Sequence, residues 1–263
     1  MTNKNNCTIF YTKEQSVKRR YPMTKTPKLK NRIEYNREII TYMLSGTEST
    51  KRLNNVNWLR HEISYTEPRT LFYIPNKEQQ PYLDFNCMRN LGLAYDYILQ
   101  NPNEEIDEKA LLNIHSILCT NTHIDGARYR TTEKFLEIKV NGMRMSAPKV
   151  YEVPQRLNEI FYTYKNSKDD VLHRAFKIHY ELIALQPFDD FNKRTARLIM
   201  NWILVQGGYR PIVFNRRGDK QKYKEAIANY ANGNKRAYYS YMQSCMVRTQ
   251  EDIIKLLTKS RTI

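Results

Sequence analysis

The residues best suited to do chemistry lie together in the run LQPFDDFNKRTARL, Leu185 to Leu198. It contains carboxylates, an amide, a lysine and two arginines. Arg194 and Arg197 are spaced so that on a helix both side chains leave the same face. Their planar guanidinium groups can each bind phosphate oxygens through two hydrogen bonds. Asp190 could hold Mg²⁺, which needs only one or two carboxylates besides phosphate and water. The run therefore has the composition of a metal-and-phosphate site.

The helix that we expect from Arg194 to Gln206 would add to this site. A helix N-terminus offers unpaired backbone N–H groups and a partial positive charge, and Asn192 before it can add an amide donor. A purely structural interpretation stays open, in which Asp189 and Asp190 cap the helix and pair with the arginines at the surface. Arginines on an otherwise apolar helix favour phosphate, because their burial requires an anionic partner.

Gln186 makes this site unusual. A glutamine side chain can position a hydroxyl by hydrogen bonding but cannot take its proton, so it cannot be a general base. His179 lies two helical turns upstream on the same face and is a candidate substitute base. A packed core histidine is the favoured interpretation of His179.

Apolar periodicity predicts a mainly α-helical chain. The hairpin Phe135 to Met145, with the turn Asn141-Gly142, is the one convincing β pattern. The fold class predicted is all-α with a small β-hairpin. Helices are expected over residues 32–53 (interrupted near Ser45 and Gly46), 82–99, the stretch after an Asp107 or Asn101 cap, and 153–164, 170–185, 194–206, 219–232 and 235–259.

Composition limits the protein class. With 41% hydrophobic and 12% aromatic residues in 263, the chain is expected to fold. Four cysteines without a CxxC pair indicate reduced thiols in a cytoplasmic protein, and no apolar run is long enough to predict a membrane span. Much of the net charge of +16 lies in a basic N-terminal arm, residues 1–31, which either solubilises the protein or touches an anionic partner. Nucleic acid is not the expected partner, because the remaining positive charge is spread thinly.

The run QPFDDFNKRTAR resembles the signature of the Fic (Fic/Doc, "Fido") family, His-Pro-Phe-x-Asp/Glu-Gly-Asn-Gly-Arg-x-x-Arg. Upstream, DGARYRTTEKFLEI is similar to the family segment Pro-Gly-x-Tyr-Arg before a hairpin flap. Downstream, the stretch 223–227 with 232–234 resembles the family segment that closes over the nucleotide base. The likeness extends from roughly Leu111 to Lys259. The matching motif residues are Pro187, Phe188, Asp190, Asn192, Arg194 and Arg197.

The resemblance implies a Fic-type helical bundle over residues 109–260, with residues 32–108 as an N-terminal helical extension. Most members use ATP and Mg²⁺ to transfer AMP to a hydroxyl of another protein, so this chain is expected to be similar to a protein adenylyltransferase. The hairpin, with Lys139 and Met143, would dock a target protein segment by strand addition. The implied catalytic positions are Gln186, Asp190 and Arg194, and Asp190 would also hold Mg²⁺. Asn192, Arg194 and Arg197 would bind the nucleotide phosphates, and Tyr223 and Asn232 the base.

Three positions depart from the family pattern. Gln186 replaces the histidine base, so AMP transfer should be weakened, and a catalytically inactive Fic fold that binds nucleotide or protein is the alternative. Phe191 replaces a glycine, and a side chain there should disfavour positive φ and close approach to phosphate. Lys193 replaces the second glycine, as in the kinase-like Doc branch that donates the γ-phosphate. Lys193 would then contact phosphate, or else face solvent at the helix start.

A possible inhibitory element lies further upstream. Many family members carry a helix with the pattern Ser/Thr-x-x-x-Glu-Gly/Asn, whose glutamate pairs with the second motif arginine. The segment Ser45 to Ser49 is similar, but its spacing is off by one. We therefore expect Glu48 as the candidate partner of Arg197. The sequence names neither the target protein nor the oligomeric state.

Overall fold

The computed structural model describes residues 15–17, 29–44, 80–140, 143–214 and 219–259, and within these ranges it is helical apart from one hairpin. The all-α prediction is confirmed. The predicted continuation of the first helix to residue 53, the Asn141-Gly142 turn and Glu48 lie outside the described residues. The elements are α1 (Leu29–Leu44), α2 (Gln80–Gln100), α3 (Glu108–Cys119), β1 (Phe135–Val140), β2 (Met143–Ser146), a 3₁₀ turn (Val150–Glu152), α4 (Val153–Asn166), α5 (Val171–Leu185), α6 (Asn192–Gln206), α7 (Asp219–Ala231) and α8 (Lys235–Lys259).

Local capping explains where several helices begin. The Asp107 side chain accepts from the N–H of Ala110 at 2.8 Å, and the Asp170 side chain accepts from the N–H of His173 at 2.9 Å. Helix α6 begins at Asn192 and not at Arg194. Its N-cap, Phe191, makes no side-chain cap hydrogen bond, so the sequence carries no capping residue to mark this start.

The chain divides into two units. The first comprises Met1–Asn57 with Ser240–Ile263 and contains α1 and most of α8. Its described core is a cluster of Val17, Ile39 and Met43, on which Ile254 and Leu257 pack. An Arg32–Glu251 ion pair and a hydrogen bond from Gln250 to the carbonyl of Ile33 (3.2 Å) join the helices. The predicted domain boundaries after residues 31 and 108 stay a prediction.

The second unit, Trp58–Tyr239, contains the remaining elements and is organised around α6. Helix α6 packs most extensively on α5 and also on α2 and α3. Leu198, Ile199 and Trp202 of α6 are buried, and the Trp202 indole donates to the carbonyl of Asn101 at 2.9 Å. The all-round burial of α6 agrees with its nearly all-round apolar sequence, and it places the start of α6 at a fixed point beside α3 and α5.

The hairpin is antiparallel and irregular. Lys139 pairs with Arg144, whereas Phe135 pairs with Ser146, so the register shifts between these positions. Leu136 and Ile138 point inward and are 4% exposed, while the side chain of Phe135 is exposed. Strand β1 packs on α7, so the hairpin is attached to the body of the second unit.

The cysteines of the described ranges, Cys87, Cys119 and Cys245, are buried free thiols. No group of three or more His, Cys, Asp or Glu side chains able to hold a metal gathers within those ranges. Among the described helices, none combines the length and the apolar character needed to cross a membrane.

Candidate functional site

The loop between α5 and α6 turns sharply at both of its ends. Gln186 has φ 49° and Phe191 has φ 58°, the left-handed region that non-glycine residues occupy at a cost of about 1–2 kcal/mol each. Phe191 therefore keeps the positive φ that we expected its side chain to disfavour. Its ring is 1% exposed, so it is accommodated inside the protein and not over the loop. A phenylalanine at this position is thus compatible with the left-handed turn.

The Gln186 side chain is turned back onto α5. Its amide Nε2 donates to the carbonyl of Ile183 at 2.7 Å, and its backbone N–H donates to the carbonyl of Leu182 at 3.1 Å. The amide therefore serves as a C-cap of α5, which is a structural use of the position.

Asn192 closes the loop on itself. Its Oδ1 accepts from the backbone N–H of Phe188 at 2.9 Å, and its Nδ2 donates to the carbonyl of Phe188 at 2.8 Å. Both ends of the amide are thereby bound to one loop residue. The structure shows Asn192 as a clamp for the loop backbone, and its predicted contact with phosphate stays a prediction.

The backbone carbonyl of Asp190 is hydrogen-bonded to His115, a residue that sequence reasoning missed. The Asp190 Oδ1 accepts from the N–H of Phe191 at 2.6 Å, and its carbonyl faces His115 Nε2 at 3.3 Å. The N–H of Ala127 donates to His115 Nδ1 at 3.1 Å, which assigns the ring proton to Nε2. Burial lowers the pKa of His115 to about 4. The only sequence signal for His115 was a histidine on the apolar face of α3.

Arg130 joins the loop to the hairpin. Its side chain is fully buried, and its Nε donates to the carbonyl of Gln186 at 2.7 Å. The other guanidinium nitrogens donate to the carbonyls of Thr132 (3.0 Å) and Pro148, which lie at the two ends of the hairpin. We call His115, Arg130 and Asn192 the loop side of the site, because each binds backbone atoms of residues 186–190.

The two arginines lie against different aromatic rings. Arg194 is 2% exposed, and its guanidinium carbon is 4.9 Å from the ring centre of Phe191. Arg197 is half-buried, with its guanidinium carbon 5.8 Å from the ring centre of Phe214. The Arg197 Nε donates to the carbonyl of Lys193 at 3.2 Å, and Lys193 itself is half-buried. All three cations belong to the first turns of α6.

His179, Tyr223 and Tyr238 form a hydrogen-bonded group behind Arg197, which we call the tyrosine side. His179 Nδ1 is 2.7 Å from the Tyr238 hydroxyl, and His179 Nε2 is 2.9 Å from the Tyr223 hydroxyl. The histidine is fully buried. Burial, with a smaller contribution from the Arg197 charge, lowers the pKa of His179 to about 3. His179 is therefore a packed core histidine, as favoured from the sequence, and not a substitute base open to substrate.

The remaining predicted site residues lie farther along the chain. Asn232 is exposed and follows α7, where its N–H donates to the carbonyl of Ala228 at 3.0 Å. Lys139 and Met143 lie on β1 and β2 as predicted. The structure thus bonds Tyr223 to His179 of α5, while the roles predicted for Tyr223, Asn232, Lys139, Met143 and Glu48 stay predictions.

Comparison with known proteins gives the family. The Fic/DOC family model matches residues 105–204. The chain is 30% identical over 188 residues to a protein adenylyltransferase Fic of Nematostella vectensis, covering 68% of this chain and 42% of that one. It is 29% identical over 174 residues to the protein of the same name in Aedes aegypti, covering 63% and 33%. It therefore spans less than half the length of these curated relatives.

A solved structure agrees in fold. The crystal structure of a Fic domain containing signaling protein from Bacteroides thetaiotaomicron superposes with a TM-score of 0.71 at 20% identity, over 87% of this chain and 97% of that one. At this identity the likeness shows the fold alone. Together with the family match and the loop described above, it establishes that the chain is a Fic-domain protein, whose residues 105–204 belong to the Fic/DOC family.

Proposed function

We propose that this chain binds ATP with Mg²⁺ at residues 186–197 and transfers AMP to a hydroxyl of another protein. The rate of transfer is low because Gln186 cannot act as a general base. The observation that supports this proposal most is a contrast between the charged residues at the start of α6 and the Gln186 amide. Asp190, Arg194 and Arg197 lie at the start of α6 on a backbone that the loop side holds in place. The Gln186 amide, in contrast, is bonded to its own helix.

Phosphate binding follows from the charges at the start of α6. The first turn of an α-helix presents N–H groups without intrahelical partners and a partial positive charge. Lys193 and Arg194 add two cations to that turn, and Arg197 adds a third in the next turn. Because Arg194 is 2% exposed, a phosphate group there would sit in a poorly hydrated place, where charge attraction is stronger than in water.

Asp190 is the residue that would hold Mg²⁺. One of its carboxylate oxygens accepts from the Phe191 N–H, which fixes the carboxylate beside the helix start. Asp189, by comparison, is exposed and bonds Thr132 at 3.2 Å. A single carboxylate completed by phosphate oxygens and water suits Mg²⁺. When bound, the ion would neutralise phosphate charge.

The reaction would be a displacement at the α-phosphorus of ATP. The acceptor oxygen forms a bond to that phosphorus, the bond to the bridging oxygen breaks, and pyrophosphate leaves. The hydroxyl proton must pass to solvent or pyrophosphate, since Gln186 cannot accept it. A missing general base typically lowers the rate by about 10²–10⁴-fold, and positioning by the remaining groups would supply the residual rate.

The test uses ATP labelled at either the α- or the γ-phosphate, incubated with the full chain, Mg²⁺ and cell lysate. Labelling from the α-phosphate, raised at least tenfold by Gln186→His, is the expected result. Asp190→Ala with Gln186→His is the matched control and should abolish the label. If neither the natural chain nor Gln186→His transfers α-label, AMP transfer is excluded.

Two other outcomes correspond to other functions. Binding of Mg·ATP without transfer would identify a regulatory binding module, an alternative that the inward-turned Gln186 amide favours. Transfer of γ-label alone would identify Doc-like kinase activity, for which the half-buried Lys193 in the first turn of α6 is the relevant residue.

We propose the hairpin as the docking site for the target protein. Its support is the exposed Phe135 ring on a two-stranded sheet whose inner residues are packed on the body of the unit. Peptides can bind such sheets by adding a strand. Phe135→Ser should weaken capture of a modified target, whereas the exposed Tyr162→Ser on α4 should not.

A further inference from the structure

The tyrosine side has a fixed hydrogen-bond direction. The Tyr238 hydroxyl lies 2.8 Å from the carbonyl of Phe176. A carbonyl can only accept, so the single hydroxyl proton of Tyr238 is donated there. Toward His179 the Tyr238 oxygen is then an acceptor, and the proton of the imidazole must lie on Nδ1.

The position of the imidazole proton also determines which group donates in the hydrogen bond between His179 and Tyr223. The imidazole is fully buried beside the charge of Arg197, and its pKa of about 3 keeps it neutral at physiological pH. A neutral ring with its proton on Nδ1 carries a lone pair on Nε2. The Tyr223 hydroxyl, 2.9 Å away, therefore donates its only proton to Nε2. Any further group that meets the Tyr223 oxygen must itself be a donor.

Tyr223 and Arg197 both lie against the ring of Phe214. The rings of Tyr223 and Phe214 meet edge to face with centres 5.5 Å apart, and the Arg197 guanidinium carbon is 5.8 Å from the Phe214 ring centre. Tyr223 is half-buried, unlike the fully buried His179 and Tyr238. A nucleotide with its phosphates at Arg197 would thus have Tyr223 within its reach.

We propose that the hydrogen-bonded series from Phe176 through Tyr238 and His179 to Tyr223 determines base selectivity, by presenting an accept-only oxygen to the nucleobase. Such an oxygen binds an exocyclic amino group, as in adenine, and repels a keto oxygen, as in hypoxanthine and guanine. This inference rests on the proposed nucleotide site. His179 and Tyr238 act through Tyr223 and are positioning residues.

The direct test compares three triphosphates that differ at position 6 of the purine, using calorimetry with the full chain and Mg²⁺. ATP offers an amino group there, purine riboside triphosphate offers hydrogen, and ITP offers a keto oxygen. The expected order of affinity is ATP, then purine riboside triphosphate, then ITP, with about 10–100-fold between the first and the last. Equal affinities, or ITP binding most tightly, would overturn the inference.

Tyr238→Phe tests the direction itself. Tyr238→Phe removes the acceptor that keeps the imidazole proton on Nδ1, so the ring can adopt the tautomer with its proton on Nε2. The Tyr223 hydroxyl would then accept from Nε2 and could donate its own proton to the ligand. The ATP-to-ITP ratio should then fall by about tenfold. The matched control is Tyr239→Phe, whose hydroxyl bonds His173 at 2.9 Å and which should leave the ratio unchanged.

The tautomer of His179 can be measured without nucleotide and without a variant, so it serves if Tyr238→Phe folds poorly. In the natural chain labelled with ¹⁵N-histidine, NMR should show His179 as the Nδ1–H tautomer. The Nε2–H tautomer would refute the proposed direction. If no triphosphate binds at all, both this inference and the proposed function fail. If ATP and ITP bind equally well, the proposed function stands and only this inference fails.

Discussion

The loop side and the tyrosine side of the candidate site use buried histidines in opposite ways. His115 carries its proton on Nε2 and directs it to a backbone carbonyl, whereas His179 carries its proton on Nδ1 and bonds only tyrosine hydroxyls. The loop side holds backbone, so changes there should alter whether the loop forms. The tyrosine side holds a side-chain hydroxyl, so changes there should alter what the site accepts.

Arg130→Ala should give the largest loss of stability. It removes a fully buried guanidinium that satisfies carbonyls of Gln186, Thr132 and Pro148. We expect the free energy of unfolding to fall by about 3–5 kcal/mol, measured by urea denaturation. The control is Arg128→Ala, which removes a side chain that is 64% exposed and should change the value by less than about 0.5 kcal/mol.

Asn192→Ala should cost about 2–3 kcal/mol, because it leaves the buried N–H and carbonyl of Phe188 without their side-chain partner. Asn192→Asp keeps an acceptor for the N–H but turns its second carboxylate oxygen toward the Phe188 carbonyl, which also only accepts, so it should be less stable than the natural chain as well. Chemical denaturation of both variants measures the difference. Natural stability in both variants would contradict the clamp and weaken the contrast between the two sides.

Phe191→Gly should cost about 2 kcal/mol, the difference between two opposing effects. Loss of the buried ring costs about 3–5 kcal/mol, and release of the left-handed strain at φ 58° returns about 1–2 kcal/mol. Phe191→Ala loses the ring but keeps most of the strain. It should therefore be less stable than Phe191→Gly by about 1 kcal/mol in thermal or urea denaturation. Equal stability of the two variants would show that the turn is unstrained.

The smallest effect concerns pH on the tyrosine side. The unfolded chain protonates His179 near pH 6.5, but the folded chain does so only near pH 3. Between these values the unfolded state binds more protons, so lowering the pH destabilises the fold. His179 should contribute about 1 kcal/mol per pH unit between pH 6 and 5.

The measurement compares the pH slopes of unfolding free energy for the natural chain and His179→Gln. The variant should have the shallower slope. His123→Gln, which makes the same substitution at an exposed histidine, serves as the control variant. A slope unchanged by His179→Gln would mean that this histidine is protonated in the folded state too.

Sequence reasoning succeeded where the signal was local. The cap at Asp107, the start of α5 at Asp170 and the end of α6 before Gly207 depend on residues within one turn of each other. Apolar periodicity was enough to identify α6 as the central helix. The predicted position of the motif between two buried helices agrees with the structure, in which Asp189 and Asp190 lie in the α5–α6 connection and Arg194 and Arg197 lie in the first turns of α6.

The site features that could not be predicted from the sequence depend on contacts between distant segments. The bond from Arg130 to Gln186 and the approach of His115 to Asp190 join residues far apart in the chain, so no local pattern announces them. The same holds for the Gln186 amide, whose type suggested a ligand-facing group but whose rotamer faces α5. The left-handed Phe191 was misjudged because a buried ring can offset the cost of the backbone conformation.

The bonds of Arg130 to both ends of the hairpin have a consequence for how this protein can vary. One guanidinium joins the carbonyls of Thr132 and Pro148, so the segment between them is a loop already closed at its base. For a closed loop, lengthening the far end costs only about 0.6 kcal/mol of chain entropy for each doubling. Insertions or exchanges at the tip should therefore leave the α5–α6 connection undisturbed. The outer residues of the hairpin can therefore vary while the backbone of the α5–α6 connection keeps its position.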